Sequence, residues 1–460
     1  MGVASSPSGC LTAAPGDCSI DRSSSITDAP RPLNNSELRL WRECRKLPDR
    51  VRDYLVKLFL RYRWRHPLEF NVPRLFSSMR LPPSHPNAFH PALVNAILLN
   101  GCLYAAEAFQ ELELLIANQL RKDLQHSLAD ADRRFDCIRA SAFFGCYLYS
   151  KWRTVEGRHY ISGSLSLAIA CGLHRIESLS PDTQAATAVI TPAKDLIELG
   201  DLVNTFWTAF VIDRIAPLFD GGVALAPSDQ SICTVWPCPW EYYENGRAFL
   251  RRYETLKSLL DSDSHSAWDF NDNPVALRAK GYVLLARAST LHARCEARCW
   301  LNAEFWDEVR LTSHSISGFA DFISTFPYPF EDSIDVEGTT SIMATASLAA
   351  HVAAIQIYDI LGLIQPGGDA LDRQRIACRR AISVVQEVAQ LGDEYFPLAI
   401  GMILAPVYEF LLGEVRRQVN EQTIIADINL VMDTRKRLKQ YMPPECEPDL
   451  DRMWSYPTLP

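Results

Sequence analysis

The chain holds 13 cysteines in 460 residues, yet no two are spaced as CxxC. A zinc site needs thiolate or imidazole ligands brought together, usually as close pairs that one turn can present. Cys233 and Cys238 are five apart in an aromatic stretch, and Cys295 and Cys299 are four apart on one helix face near His292. Neither couple has a second pair to complete a tetrahedral set, so no metal ligand is assigned. Cys102, Cys146 and Cys171 sit in apolar helical stretches, where free cysteine behaves as a small hydrophobe, and the pattern is that of a reduced, intracellular protein.

Catalytic signatures are missing too. There is no GxSxG elbow, no GxxxxGK[ST] phosphate loop, no strand-flanked GxGxxG and no HExxH. Gly163-Ser164 falls inside a helical pattern with no strand before it, and reads as small residues where helices approach closely. His351 reads as a core histidine on an apolar face, and the carboxylate pairs Asp261/Asp263 and Glu331/Asp332 read as solvated loop surface. The chain is therefore read as not an enzyme, with no catalytic residue and no cofactor of its own assigned.

An excess of positive charge is likewise absent. The formal net charge is -9, which repels phosphates and makes nucleic acid a poor default partner for the chain as a whole. The balance is uneven: from Arg39 to Arg80 there are 12 Lys or Arg against 4 Asp or Glu, a local +8 that leaves about -17 elsewhere. Apolar residues are interleaved through this stretch, so a helix face packed on an acidic body is expected rather than a DNA or membrane surface. No charged start followed by an apolar run marks a secretory signal. The most apolar stretch, 341–364, is interrupted by Ser341, Thr345, Ser347, His351, Gln356 and Asp359, which favours a buried core helix over a membrane span.

What is present is helical periodicity. Residues 1–36 are rich in Ser, Pro, Gly, Ala and Asp and read as a flexible leader, whereas 37–460 read as an all-helical body with few alternating stretches. Pro91 suits a first helical turn, and the run Leu93, Val94, Ile97, Leu98, Cys102, Ala105 predicts one apolar face. The segment from Gly157 is expected to close at Gly172, with Leu173 packing back. A helix is predicted from about Asp195 to Ile215, and another from Asn273-Pro274, as N-cap and first turn, to about Trp300. Further helices are placed at about 338–363, 370–391, 397–418 and 421–440, with Pro406 kinking or breaking the third of these. Residues 216–247, with Pro217, Gly221, Gly222, Pro227, Pro237 and Pro239, predict an irregular segment pinned by Trp236 and Trp240, and 261–273 predict a surface loop. The fold class is all-α, a multi-helix bundle of stacked helical hairpins with long irregular loops.

Three blocks, in order, resemble the regulatory middle homology region of fungal zinc-cluster transcription factors. The first is LVKLFLRYRWRHPLEFNVPRLF, from Leu55 to Phe76, followed by His90-Pro91-Ala92-Leu93 and Asn95-Ala96-Ile97. The second, KWRTVEGRHYISGSLSLAIACGLHR from Lys151 to Arg175, resembles an EGRxxxG helix with a GLHR terminus. The third, LVNTFWTAFVIDR from Leu202 to Arg214, resembles a helix carrying Trp207 and Phe210 and ending in Asp213-Arg214, before Gly221-Gly222; the plain alternative for Asp213-Arg214 is an exposed pair capping a helix. The likeness covers about residues 50–240. It departs from the family at the six-cysteine binuclear cluster, for which Cys10, Cys18 and Cys44 lack the spacing. The resemblance implies a transcription regulator in the nucleus whose partners are other transcription proteins, a second copy as a dimer, or a small-molecule effector. DNA would be reached only through a module not seen here, and zinc is expected only if an upstream cysteine cluster exists. The alternatives are a helical scaffold that binds other proteins, or an enzyme with a cavity in a helical bundle.

Overall fold

The computed structural model describes residues 30–31, 33–105, 109–180, 192–220, 229–250, 255–260, 272–297, 302–326, 335–364, 368–417 and 421–439. Among them there is no strand, and the elements are helices packed on helices. Residues 1–29 of the expected leader lie outside the described residues. The body begins slightly earlier than expected, because Asn34 caps α1 (Asn35–Cys44) and Glu37 closes a reciprocal capping box.

Four helices follow: α2 (Asp49–Arg61), α3 (Val72–Met79), α4 (Pro91–Cys102) and α5 (Gln110–Ala129). Next come α6 (Arg134–Ser150), α7 (Thr154–Ala170) and α8 (Leu196–Ile215), then short turns α9 (Pro217–Asp220), α10 (Trp240–Glu244) and α11 (Leu256–Leu259). The second half holds α12 (Pro274–Glu296), α13 (Ala303–Thr325), α14 (Val336–Ile364), α15 (Ala370–Gln390), α16 (Ile400–Ile403), α17 (Ala405–Arg416) and α18 (Glu421–Lys439).

Local chemistry places many of these ends. Pro91 starts α4, and the ring Nδ1 of His90 accepts a hydrogen bond from Ala92 N at 3.1 Å. Asn273 caps α12 through Ala276 N at 2.9 Å, and that helix closes at Glu296, before Trp300. Gly172 stands at φ 81° just past α7, the left-handed geometry that costs glycine no Cβ clash, and Leu173 is buried behind it. Pro406 sits in the first turn of α17, so the segment expected at 397–418 is split at Leu404. The expected irregular segment 216–247 carries helical turns at α9, α10 and Asp229–Ser231, with 221–228 outside the described residues. Of the loop expected at 261–273, residues 261–271 also lie outside them.

The helices form two continuous groups. In the first, α4 and α6 are central, with α2, α5 and α7 around them; in the second, α14 is surrounded by α12, α13, α15 and α17, and α18 packs on α15 and α17. Helix α8 joins them by packing on α7, α6 and α12, and a single apolar cluster runs from Leu38 to Val431. Among the described residues one helix, α14, is long and apolar enough to cross a membrane, and most of its apolar window is buried against these neighbours. Helix α4 departs from the predicted single apolar face: Ala92, Leu93, Ala96, Ile97, Leu98 and Leu99 are all buried, because partners cover it on several sides.

Close helix contacts need small residues. A Cβ on Gly101 would lie 2.2 Å from the carbonyl oxygen of Leu55, where α2 crosses α4, and one on Gly145 would lie 2.6 Å from Ile161 where α6 meets α7. Gly163 is not such a contact, contrary to expectation: a Cβ there would meet nothing within 4 Å.

Candidate functional site

The fold separates the residues that sequence alone could connect with chemistry. Ser164 is buried in α7 and its Oγ donates to Ile138 O at 2.8 Å, which ties α7 to α6. Cys238 is buried and accepts from Asn273 Nδ2 at 3.4 Å, while Cys295 is buried and Cys299 lies outside the described residues. His292 pairs with Asp359 at 3.1 Å, and His351 is buried within α14, where desolvation pushes its pKa down to about 4. Among the described residues no three His, Cys, Asp or Glu gather as a metal set. Asp261, Asp263, Glu331, Asp332, Cys10, Cys18, Gly221 and Gly222 lie outside the described residues.

Several arginines of the basic stretch are paired within the chain, most of them at its surface, while Arg65 is buried. Arg42 bonds Glu111 at 2.5 Å, Arg50 bonds Glu37 at 2.8 Å, Arg61 bonds Glu394 at 3.2 Å, and Arg74 pairs with Asp195. Arg65 is buried, donates from Nε to Phe396 O at 3.1 Å and lies over the Tyr104 ring at 5.3 Å.

The three family-like blocks meet. Between the first and third, Thr208 Oγ1 donates to Pro67 O at 3.0 Å, and Asn71 N donates to Oδ1 of Asp201, just before the third block, at 3.3 Å; the helices of the second and third, α7 and α8, pack on each other. The GLHR end of the second joins the segment after α8: Cys233 N donates to His174 O and Val235 N to Ile176 O, both at 2.9 Å. Trp207 in the third stacks on Trp236 at 4.4 Å and donates Nε1 to Val235 O at 2.7 Å, so aromatics do pin that segment. Asp213-Arg214 is not an exposed pair. Asp213 is buried, and Arg214 bonds Asp229 at 2.6 Å, which also takes Arg287 of α12 at 3.1 Å.

Sequence reasoning missed an inward-facing charge cluster. Glu69 and Arg278 form a buried ion pair at 3.4 Å across 209 residues of chain. Burial raises the Glu69 carboxyl above its usual range against the pull of Arg278 and Arg63, and burial lowers Arg63. Nearby Glu241 is pushed up to about 7, chiefly by desolvation, with Glu69 and Glu244 adding repulsion and Arg63 opposing it. No local spacing signals this cluster, because its members come from three separate parts of the chain, 63–69, 241–244 and 278.

The other feature missed is an open groove of about 790 Å³ between α5 and the start of α7, with Tyr147 of α6 behind it. Leu114 and Val155 are its apolar lips, 65% and 80% exposed. At one side Glu156 accepts from Arg121 at 3.3 Å and from Arg153, so two guanidiniums share one carboxylate. Val155, Glu156, His159 and Tyr160 all belong to the second family-like block.

The class defined by these observations is an all-α helical body with an open, partly basic groove on one face. Comparison with models of known families, with curated proteins and with solved structures finds no match to the chain.

Proposed function

We propose that this helical body regulates transcription in the nucleus, as the regulatory region of a factor similar to fungal zinc-cluster transcription factors. It acts by binding a partner protein or small effector and thereby controlling a DNA-binding module. The observation that supports this reading is the meeting of all three family-like blocks in one packed unit, the first and third tied by the bond from Thr208 to Pro67 and the second and third by the packing of α7 on α8. The internal pairing of Arg42, Arg50, Arg61 and Arg74 fits a body that does not itself grip DNA. A tagged chain is expected to concentrate in nuclei, associate with chromatin and alter a set of transcripts when deleted. A chain excluded from nuclei, with transcripts unchanged on deletion, refutes the reading.

The inward-facing charges are the observation that would favour an enzyme instead. Glu69 is engaged by Arg278, and none of Arg63, Glu69, Glu241 and Arg278 lines the groove. A structural role for the cluster therefore fits better.

A further inference from the structure

We propose that the groove between α5 and α7 is a binding site for a small amphipathic monoanion, a flat apolar body carrying one carboxylate or sulfonate. The inference stands apart from any transcriptional role, since it concerns what the purified chain binds.

Three features carry it. The volume, about 790 Å³, lies within the range of small-ligand sites. Its two lips are large aliphatic side chains left in water on opposite walls, Leu114 on α5 and Val155 on α7. Burying such surface under a ligand is favourable in proportion to area, and the half-buried Tyr160 offers ring surface to a flat partner above a floor formed by the buried Tyr147.

The charge at the side of the groove selects the sign. Arg121 and Arg153 each carry a full positive charge and five N–H donors, while Glu156 supplies one negative charge between them. Arg121 also donates to Asn118 Oδ1 at 3.1 Å and lies over the Phe144 ring at 5.3 Å, which fixes its plane. Arg153 is more open, with 44% of its side chain in water. The neighbouring Lys151 and Glu113 pair at 2.7 Å and cancel. A local excess of one positive charge next to apolar walls matches a single anionic head on an apolar body, and a planar carboxylate can take a guanidinium in two-point fashion.

The test uses the full chain with 1-naphthoate as probe and 1-naphthylmethylammonium as its cationic counterpart, followed by calorimetry and ligand-observed NMR. Saturable one-to-one binding of naphthoate is expected, with the cation at least about tenfold weaker. Arg153→Gln and Val155→Glu should each weaken naphthoate about tenfold or more with an unchanged helical circular dichroism spectrum, whereas Leu363→Glu, an exposed site on α14, should not. The proposal is overturned by equal binding of the two probes, by binding that none of the groove variants alters, or by no saturation up to about 1 mM. Capture of an acidic amphipathic helical peptide by the groove while naphthoate is refused also overturns it, since the site would then belong to a protein partner.

Discussion

Replacing Glu241 by Gln should make the protein more stable above neutral pH and leave it nearly unchanged in mild acid. Burial is the largest reason that the Glu241 carboxyl is raised from 4.5 to about 7, with Glu69 and Glu244 repelling its charge and Arg63 attracting it. An acid raised on folding holds its proton more tightly in the folded chain, so the folded state binds more protons than the unfolded one between about pH 4.5 and 7. Its contribution to stability is present below that window and is lost as pH rises through it. The difference corresponds to about 3 kcal/mol, an upper value because the side chain keeps some contact with water. Glu241→Gln removes the titration while keeping the shape. Urea unfolding followed by circular dichroism from about pH 4.5 to 8 should show the parent losing about 2 to 3 kcal/mol relative to the variant across the window. Titrating groups remote from Glu241 are common to both proteins and drop out of the difference, leaving Glu241 together with the Glu69, Glu244 and Arg63 charges coupled to it. Parallel curves for parent and variant, or a parent that gains on the variant as pH rises, would refute the reasoning.

Three further outcomes follow from the packing. Arg278→Met should cost about 3 to 5 kcal/mol in urea unfolding by leaving Glu69 buried without its partner, and adding Glu69→Leu should recover most of that loss. Failure of the second change to rescue the first would show that the pair is not the cause. Gly101→Ala sets a gain of about 0.5 to 1 kcal/mol in helix propensity against a Cβ placed 2.2 Å from Leu55 O. The clash wins because backbone must move, so a net loss of about 1 to 3 kcal/mol is expected, read as a lower thermal midpoint. Asn273→Ala removes the cap on Ala276 N and the bond to Pro237 O, and should cost about 2 kcal/mol in the same unfolding assay.

Those features were legible to different degrees for a physical reason. Asn273, Gly172 and Pro406 act on their own neighbours within a few residues, so their effects could be read from local spacing and were found in place. The same holds for α8, expected from Asp195 and found at Leu196–Ile215 with Asp195 as its cap. The burial of Arg65, Glu69 and Asp213 was not legible, because it depends on which helix comes to lie over them. Helix α4 shows the middle case: its helical state could be read from Pro91 and the apolar spacing, but its covering on several sides could not. The groove falls in the same category, since Arg121 reaches Glu156 only after α5 and α7 have docked on α6.

The contact between the start and end of the body also governs when the protein can be finished. Arg61 bonds Glu394, Arg65 donates to Phe396 O, and Leu398 N donates back to Arg65 O at 3.2 Å. Residues near 65 therefore wait for residues near 398 to leave the ribosome before their native partners exist. During that interval the guanidinium of Arg65 lacks the carbonyl it bonds in the folded chain, and a ribosome emitting about 5 to 20 residues per second leaves it so for tens of seconds. A premature stop before residue 396 therefore disturbs the beginning of the body as well as its end.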